Sequence, residues 1–173
     1  MGAWGALIMG FFGAVFAAMT MARQPDFTGA WPMLPFAGFA LIAIAAVQVI
    51  RMPGKGAEFS ARAQRVTMWS SIAEGIGIFV AANIVVNLNR PDLLLPAIAL
   101  IVGLHFLPIA VAAGFRPFHA LGGALIVAAA AGFGVGGATG AMLAGTAAAG
   151  ALWIAALAAI ARERAAKRAG QAG

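Results

Sequence analysis

The sequence predicts an all-α, polytopic membrane bundle of six transmembrane spans with both ends in the cytoplasm. Three observations lead there. The first is composition: 63% of the 173 residues are hydrophobic and 9% are charged, against roughly 45–50% and about 25% in soluble domains. A water-soluble fold this apolar would lack the polar groups to cover its surface, whereas lipid accepts apolar side chains facing outward. The second is the division of the chain into uncharged runs close to the roughly 20 residues that a helix needs to cross the hydrocarbon core. The third is the placement of the basic residues, which fall almost entirely in alternate connections between those runs.

The spans follow in order. Residues 2–22 form the first run and Arg23 ends it. With no basic n-region and an apolar stretch longer than a signal-peptide core, it reads as a span and not as a cleaved leader. The second, 31–50, opens at Trp31-Pro32 and stops before Arg51. The third, 66–88, follows the most polar connection. After Asn89-Arg90-Pro91-Asp92 comes a fourth, 93–114, and Phe115-Arg116-Pro117-Phe118-His119 is expected to be a short turn. The next 42 residues, 120–161, carry no charge. As one helix they would be about 63 Å long, twice the hydrocarbon thickness, so they must fold back. The expected break is the cluster Gly134, Gly136, Gly137 and Gly140, giving spans 120–137 and 139–161 in a single integral membrane domain, 1–173.

Charge checks the count. Six spans put Arg51, Lys55, Arg62, Arg65, Arg116, Arg162, Arg164, Lys167 and Arg168 on the side of both termini, and only Arg23 and Arg90 on the other. Nine against two is the bias that marks the first side as cytoplasmic. Trp4, Trp31 and Trp69 lie near span ends, where indole rings favour the headgroup region. The formal charge of +6 therefore reads as membrane orientation and contact with anionic lipid, with no nucleic-acid partner. Alanine and arginine enrichment suggests a bacterial inner (plasma) membrane.

Ionisable residues inside spans are costly and are the first places to look for function. Two qualify. Glu74, in span three, and His105, in span four, lie about 12 and 15 Å from the same surface at 1.5 Å per residue. Spans joined by so short a turn should be antiparallel neighbours, so the acid and the imidazole meet if both faces turn inward. Thr67, Ser70, Ser71, Glu74, Gly77 and Ala81 share a stripe of span three, while Asn83 and Asn87 lie on roughly the opposite face. Pro108 has no N–H to give the carbonyl of Leu104, which frees an acceptor beside His105. The candidate ligand- or proton-binding residues are thus Glu74, His105, Ser70, Ser71, Asn83 and Asn87. The alternative for the first pair is a structural bond locking the two spans, and for the asparagines, contact between helices. Gln48, near a span end, and His119, in a turn, read as solvated groups.

In lipid, helices associate through close packing and polar bonds. Gly132, Gly136 and Gly140 recur at four-residue spacing, as do Ala141 with Gly145, and Gly10, Gly13, Ala14 and Ala17 crowd span one. One reading is a homo-oligomer through Gly132, Gly136 and Gly140. The other is ordinary packing within one bundle.

Several chemistries are excluded. The chain has no cysteine, hence no disulfide, thiolate metal site or thiol nucleophile. Lys55 and Lys167 lie outside the spans, so a retinal Schiff base has no anchor. Ser60, Ser70 and Ser71 lack the setting of a serine nucleophile. No span carries paired carboxylates or an H-E-x-x-H motif. No catalytic residue, cofactor or metal is expected.

Two stretches carry resemblances. Gly103-Leu104-His105-Phe106-Leu107-Pro108, an aromatic turn and Gly122-Gly123 resemble small multi-span bacterial membrane proteins of unknown function, over about residues 70–135. That implies a compact helical membrane fold and no activity. Ile72-Ala73-Glu74-Gly75-Ile76-Gly77 is similar to the first helix of small multidrug resistance exporters, whose membrane glutamate exchanges protons for drug cations. This chain departs from them in span number, in where the glutamate helix falls and in lacking tyrosine. The expectation is a small proton-linked transporter or ligand-binding membrane protein centred on Glu74 and His105, with lipid and a small molecule or ion as partners. The alternative is an accessory or scaffold protein binding a partner through spans five and six.

Overall fold

A computed structural model describes residues 2–54 and 60–170; Lys55, one of the nine cations assigned above to the cytoplasmic side, lies outside them. All regular structure among the described residues is helical. The helices are α1 (Ala3–Met21), α2 (Leu34–Arg51), α3 (Ala61–Asn87), α4 (Leu94–Ala113), α5 (Arg116–Val135) and α6 (Gly137–Ala169). Short 3-10 turns, Trp31–Met33 and Pro91–Leu93, lead into α2 and α4. All six helices are long and apolar enough to cross a membrane.

Local chemistry explains most boundaries. Proline in the first turn starts α2, since its missing N–H falls where no partner exists. Ser60 caps α3, its hydroxyl accepting from the Ala63 N–H at 3.2 Å. Beyond α3 the chain reverses through Asn89, with φ +50, and Arg90 grips Asp92 by two bonds of 3.0 and 2.8 Å. Gly114, with φ +59, closes α4 in the left-handed conformation.

Three boundaries differ from expectation by four residues or more. With Ser60 as its cap, α3 begins at Ala61, five residues before the expected start of the third span. The predicted turn at Phe115–His119 is in fact the first turn of α5, because Pro117 sits where a helix start tolerates it and does not act as a breaker. His119 is exposed on that helix. At the other end, α6 does not stop with the apolar run at residue 161 but continues to Ala169, a helix about 50 Å long. Alanine, arginine, glutamate and lysine are strong helix formers, and no breaker intervenes before Gly170. The fold-back itself falls in the expected glycine cluster. Gly136 adopts φ +69 and ψ 175, a conformation open essentially to glycine alone, and it is the only residue between α5 and α6.

Contacts gather the chain into two units that divide within α6, between Ala148 and Ala149. The first holds α1, α2 and the second half of α6. There the Trp153 indole lies against Gly13, where a Cβ would sit 2.4 Å from the ring, and its Nε1 donates to the Gly10 carbonyl at 3.1 Å. Phe11, Phe36 and Phe39 pack around the α1–α2 contact.

The second unit holds α3, α4, α5 and the first half of α6, with α4 packed against both α3 and α5. Gly103 and Gly122 bring the α4 and α5 backbones together; a Cβ on either would lie within 2.9 Å of the other's carbonyl oxygen. Gly132 and Gly140 do the same across the α5–α6 turn, with Ala144 and Pro96 beside them. The close approach that these two glycines permit is therefore used within the chain. Leu95, Ile109 and Leu125 fill the core of this unit.

Candidate functional site

The α3–α4 contact is built on a stripe of α3 that recurs every three or four residues: Ala63, Thr67, Ser70, Glu74, Gly77, Ala81 and Val85 are the buried or half-buried positions of that face. Thr67 satisfies its hydroxyl on its own helix, donating to the Ala63 carbonyl at 2.9 Å. Gly77 lets α4 approach, since a Cβ there would be 3.2 Å from Ile101 Cγ2. With Gly77 opposite Ile101, an antiparallel register carries Glu74 to the level of His105.

There the two meet. His105 Nδ1 lies 3.5 Å from Glu74 Oε2, with the side chains only 10% and 14% exposed. That is within reach of an ion pair, yet no hydrogen bond forms, and Nδ1 is buried without a hydrogen-bond partner. At this separation the groups touch directly, with no room for a solute between them. The imidazole stands edge-on to the Phe106 ring at 5.1 Å, and Phe106 in turn packs on Phe118. The pair thus has an aromatic, water-poor wall on the α4 side, where electrostatic interactions are strong and unmet polar groups are costly.

The other candidate residues separate cleanly. Ser70 is half-buried one turn from Glu74 on the same face. Ser71 is exposed and stands off the contact stripe. Asn83 and Asn87 are exposed on the far side of α3, and Asn83 Nδ2 donates to the Phe79 carbonyl of its own helix at 2.8 Å. The structure therefore brings together Glu74 and His105, with Ser70 alongside, and leaves Ser71, Asn83 and Asn87 outside that group. Gln48 is exposed as expected.

A second polar cluster, in the α1–α2–α6 unit, escaped the sequence reading. Lys167, expected outside the spans on the cytoplasmic side, is 6% exposed. Its ammonium donates to the carbonyls of Val49, Ile50 and Met52 at 2.9, 3.1 and 3.0 Å, at the C-terminal end of α2, where helix carbonyls run out of intrahelical donors; the Val49 carbonyl also accepts the Met52 N–H at 3.2 Å. Glu163, one turn earlier, places one carboxylate oxygen 3.8 Å from the ammonium and accepts the Ala3 N–H at the start of α1 with the other. One turn of α6 thus caps two other helices with charges of the sign each helix end prefers. In sequence this acid lies between Arg162 and Arg164 and reads as an ordinary solvated face; the i, i+4 spacing to Lys167 was the available signal.

The chain stands apart from known proteins in all three comparisons: no family model, no curated protein and no solved structure matches it.

Proposed function

We propose that the protein is a proton-linked transporter or ligand-binding protein of the bacterial inner membrane, with both termini cytoplasmic, and that Glu74 and His105 together form its proton site. The observation that supports this reading is the buried His105 Nδ1, unpaired and 3.5 Å from the Glu74 carboxylate. A purely structural pair within a membrane would be expected to close that gap into a hydrogen bond, because an unmet polar group there is expensive.

With one proton shared between them the pair is neutral, either as two neutral groups or as carboxylate and imidazolium. Without it, the pair carries a net negative charge in an apolar contact. Loss of the proton therefore favours any rearrangement of α3 against α4 that admits water or a compensating solute. That is the coupling a proton-linked carrier requires. The positive-inside count supports the orientation, and six apolar helices support the multi-pass placement.

The test is proton movement in proteoliposomes loaded with a pH-reporting dye, screened against a panel of organic and inorganic cations and anions. Solute-evoked proton flux is expected for the native chain and lost in Glu74→Gln and His105→Ala, with both variants inserted and folded. If both variants insert normally and change only thermal stability, the pair is structural. The scaffold alternative has less support, since Gly132 and Gly140 face each other inside the chain.

A further inference from the structure

The outer face of α3 carries a pattern that its inner face does not explain. Trp69, Ile72, Ile76, Phe79, Asn83 and Val86 follow one another at spacings of three, four, three, four and three residues. That is the a/d repeat of a left-handed helix pair. The five apolar members are 46–73% exposed, and α3 is the least covered helix: 6% of its apolar window is buried, against 22–50% for the other five. In this register Glu74 and Ala81 fall on the opposite face, against α4.

We infer that this face of α3 is a seam for a second copy of the same chain, with the two Asn83 side chains paired across a two-fold axis. Asn83 identifies the occupant. Its amide has two donors and one oxygen acceptor; one donor is spent on the Phe79 carbonyl, leaving one donor and the oxygen. An identical amide opposite it satisfies both at once, which a carboxylate or an ammonium facing its own copy would not. The basic-side rule gives every copy the same orientation, so two α3 helices meet in parallel. In a parallel pair an a position faces its own counterpart, and a lone asparagine there sets register and pairing.

The flanks support a like partner as well. Met68, Ala73, Gly75, Val80, Ala82 and Asn87 border the seam and none is charged, so nothing there selects an oppositely charged helix. Gly75 has open space around it, and small residues at such a border allow two helices to approach closely in lipid. Asn83 lies about 6 Å inside the end of α3, with Phe79 and Val86 as its apolar neighbours along the seam and Asn87 one turn away on the border.

Because the chain contains no cysteine, single cysteines report the seam directly. Full-length chains carrying two different tags are co-expressed, each with one cysteine, and oxidised in native membranes. Strong interchain disulfides between the two tags are expected at Ile76 and Phe79, and weak ones at the off-seam positions Ser71 and Ile84. Asn83→Val is expected to weaken dimerisation about tenfold, while Asn83→Gln retains most of it. If crosslinking shows no a/d periodicity, joins only a different protein, or closes within one chain, the seam does not belong to a second copy. An Asn83→Val dimer as tight as the native one overturns the asparagine pairing. Should that variant fail to insert, the cysteine series, in which Asn83 is kept, still decides.

Discussion

Two of the acid–base pairs among the described residues are largely buried, and they are resolved in opposite ways. At the end of α6, Glu163 and Lys167 are surrounded by helix termini and every strong partner is used: three carbonyls for the ammonium, a backbone N–H for the carboxylate. At the α3–α4 contact, Glu74 and His105 meet side to side in mid-helix, where backbone groups other than the Leu104 carbonyl freed by Pro108 are already committed to their own helices, and the imidazole Nδ1 is left without a bond. Helix ends provide spare hydrogen-bonding capacity and mid-helix surfaces do not. A charged pair at the former therefore behaves as a staple. At the latter the imidazole Nδ1 stays unpaired 3.5 Å from the carboxylate, which is the feature the proposed proton site rests on.

The largest effect expected from this contrast is at the staple. Lys167→Met should destabilise the protein by about 3 kcal/mol, since it takes the ammonium from the Ile50 and Met52 carbonyls, leaves Val49 only the Met52 N–H, and leaves Glu163 partly buried without its partner. Thermal unfolding in lipid nanodiscs measures it, and a shift below a few tenths of a kcal/mol would remove the distinction between the two pairs. Next in size is the glycine contact inside the α3–α4–α5 unit. Gly103→Ala places a methyl 2.9 Å from the Gly122 carbonyl oxygen and from Ile126, and overpacking of that kind costs about 1–3 kcal/mol. Glu163→Ala, which loses the cap on α1, is expected to cost about 1 kcal/mol in the same assay.

Smaller still is Glu74→Gln, which breaks no hydrogen bond seen in the structure and should stay within about 1 kcal/mol of the native chain. It should nonetheless abolish solute-evoked proton movement. That combination, small in stability and large in function, is what separates a site from a staple. The smallest effect belongs to Asn83→Ala, whose side chain points away from the rest of its unit; it should change the unfolding of the monomer by less than about 0.5 kcal/mol while still loosening the dimer.

Much of this was legible in the residues. The six runs, the fold-back at the glycine cluster and the exposure of Gln48 and His119 follow from local chemistry, and the meeting of Glu74 with His105 was deducible as far as depth. Three features were not. Ser71 was grouped with Glu74 at 100° per residue, but it stands 60° around the helix and falls outside the contact. The start of α5 was placed four residues late because proline reads as a breaker until its position within the first turn is known. The burial of Lys167 is the third, because nothing in an alanine- and arginine-rich tail announces that it lies beside the end of α2.

Span number could be read from the chain alone, because transfer of a segment between water and hydrocarbon is nearly a sum over its own residues and is indifferent to neighbouring helices. Which face of each helix turns inward, and hence whether a polar side chain finds a partner, had to await the packed structure. Those outcomes depend on the rotation and register of at least two helices at once, and a shift of one residue, 100° around the axis, exchanges a buried group for a lipid-facing one.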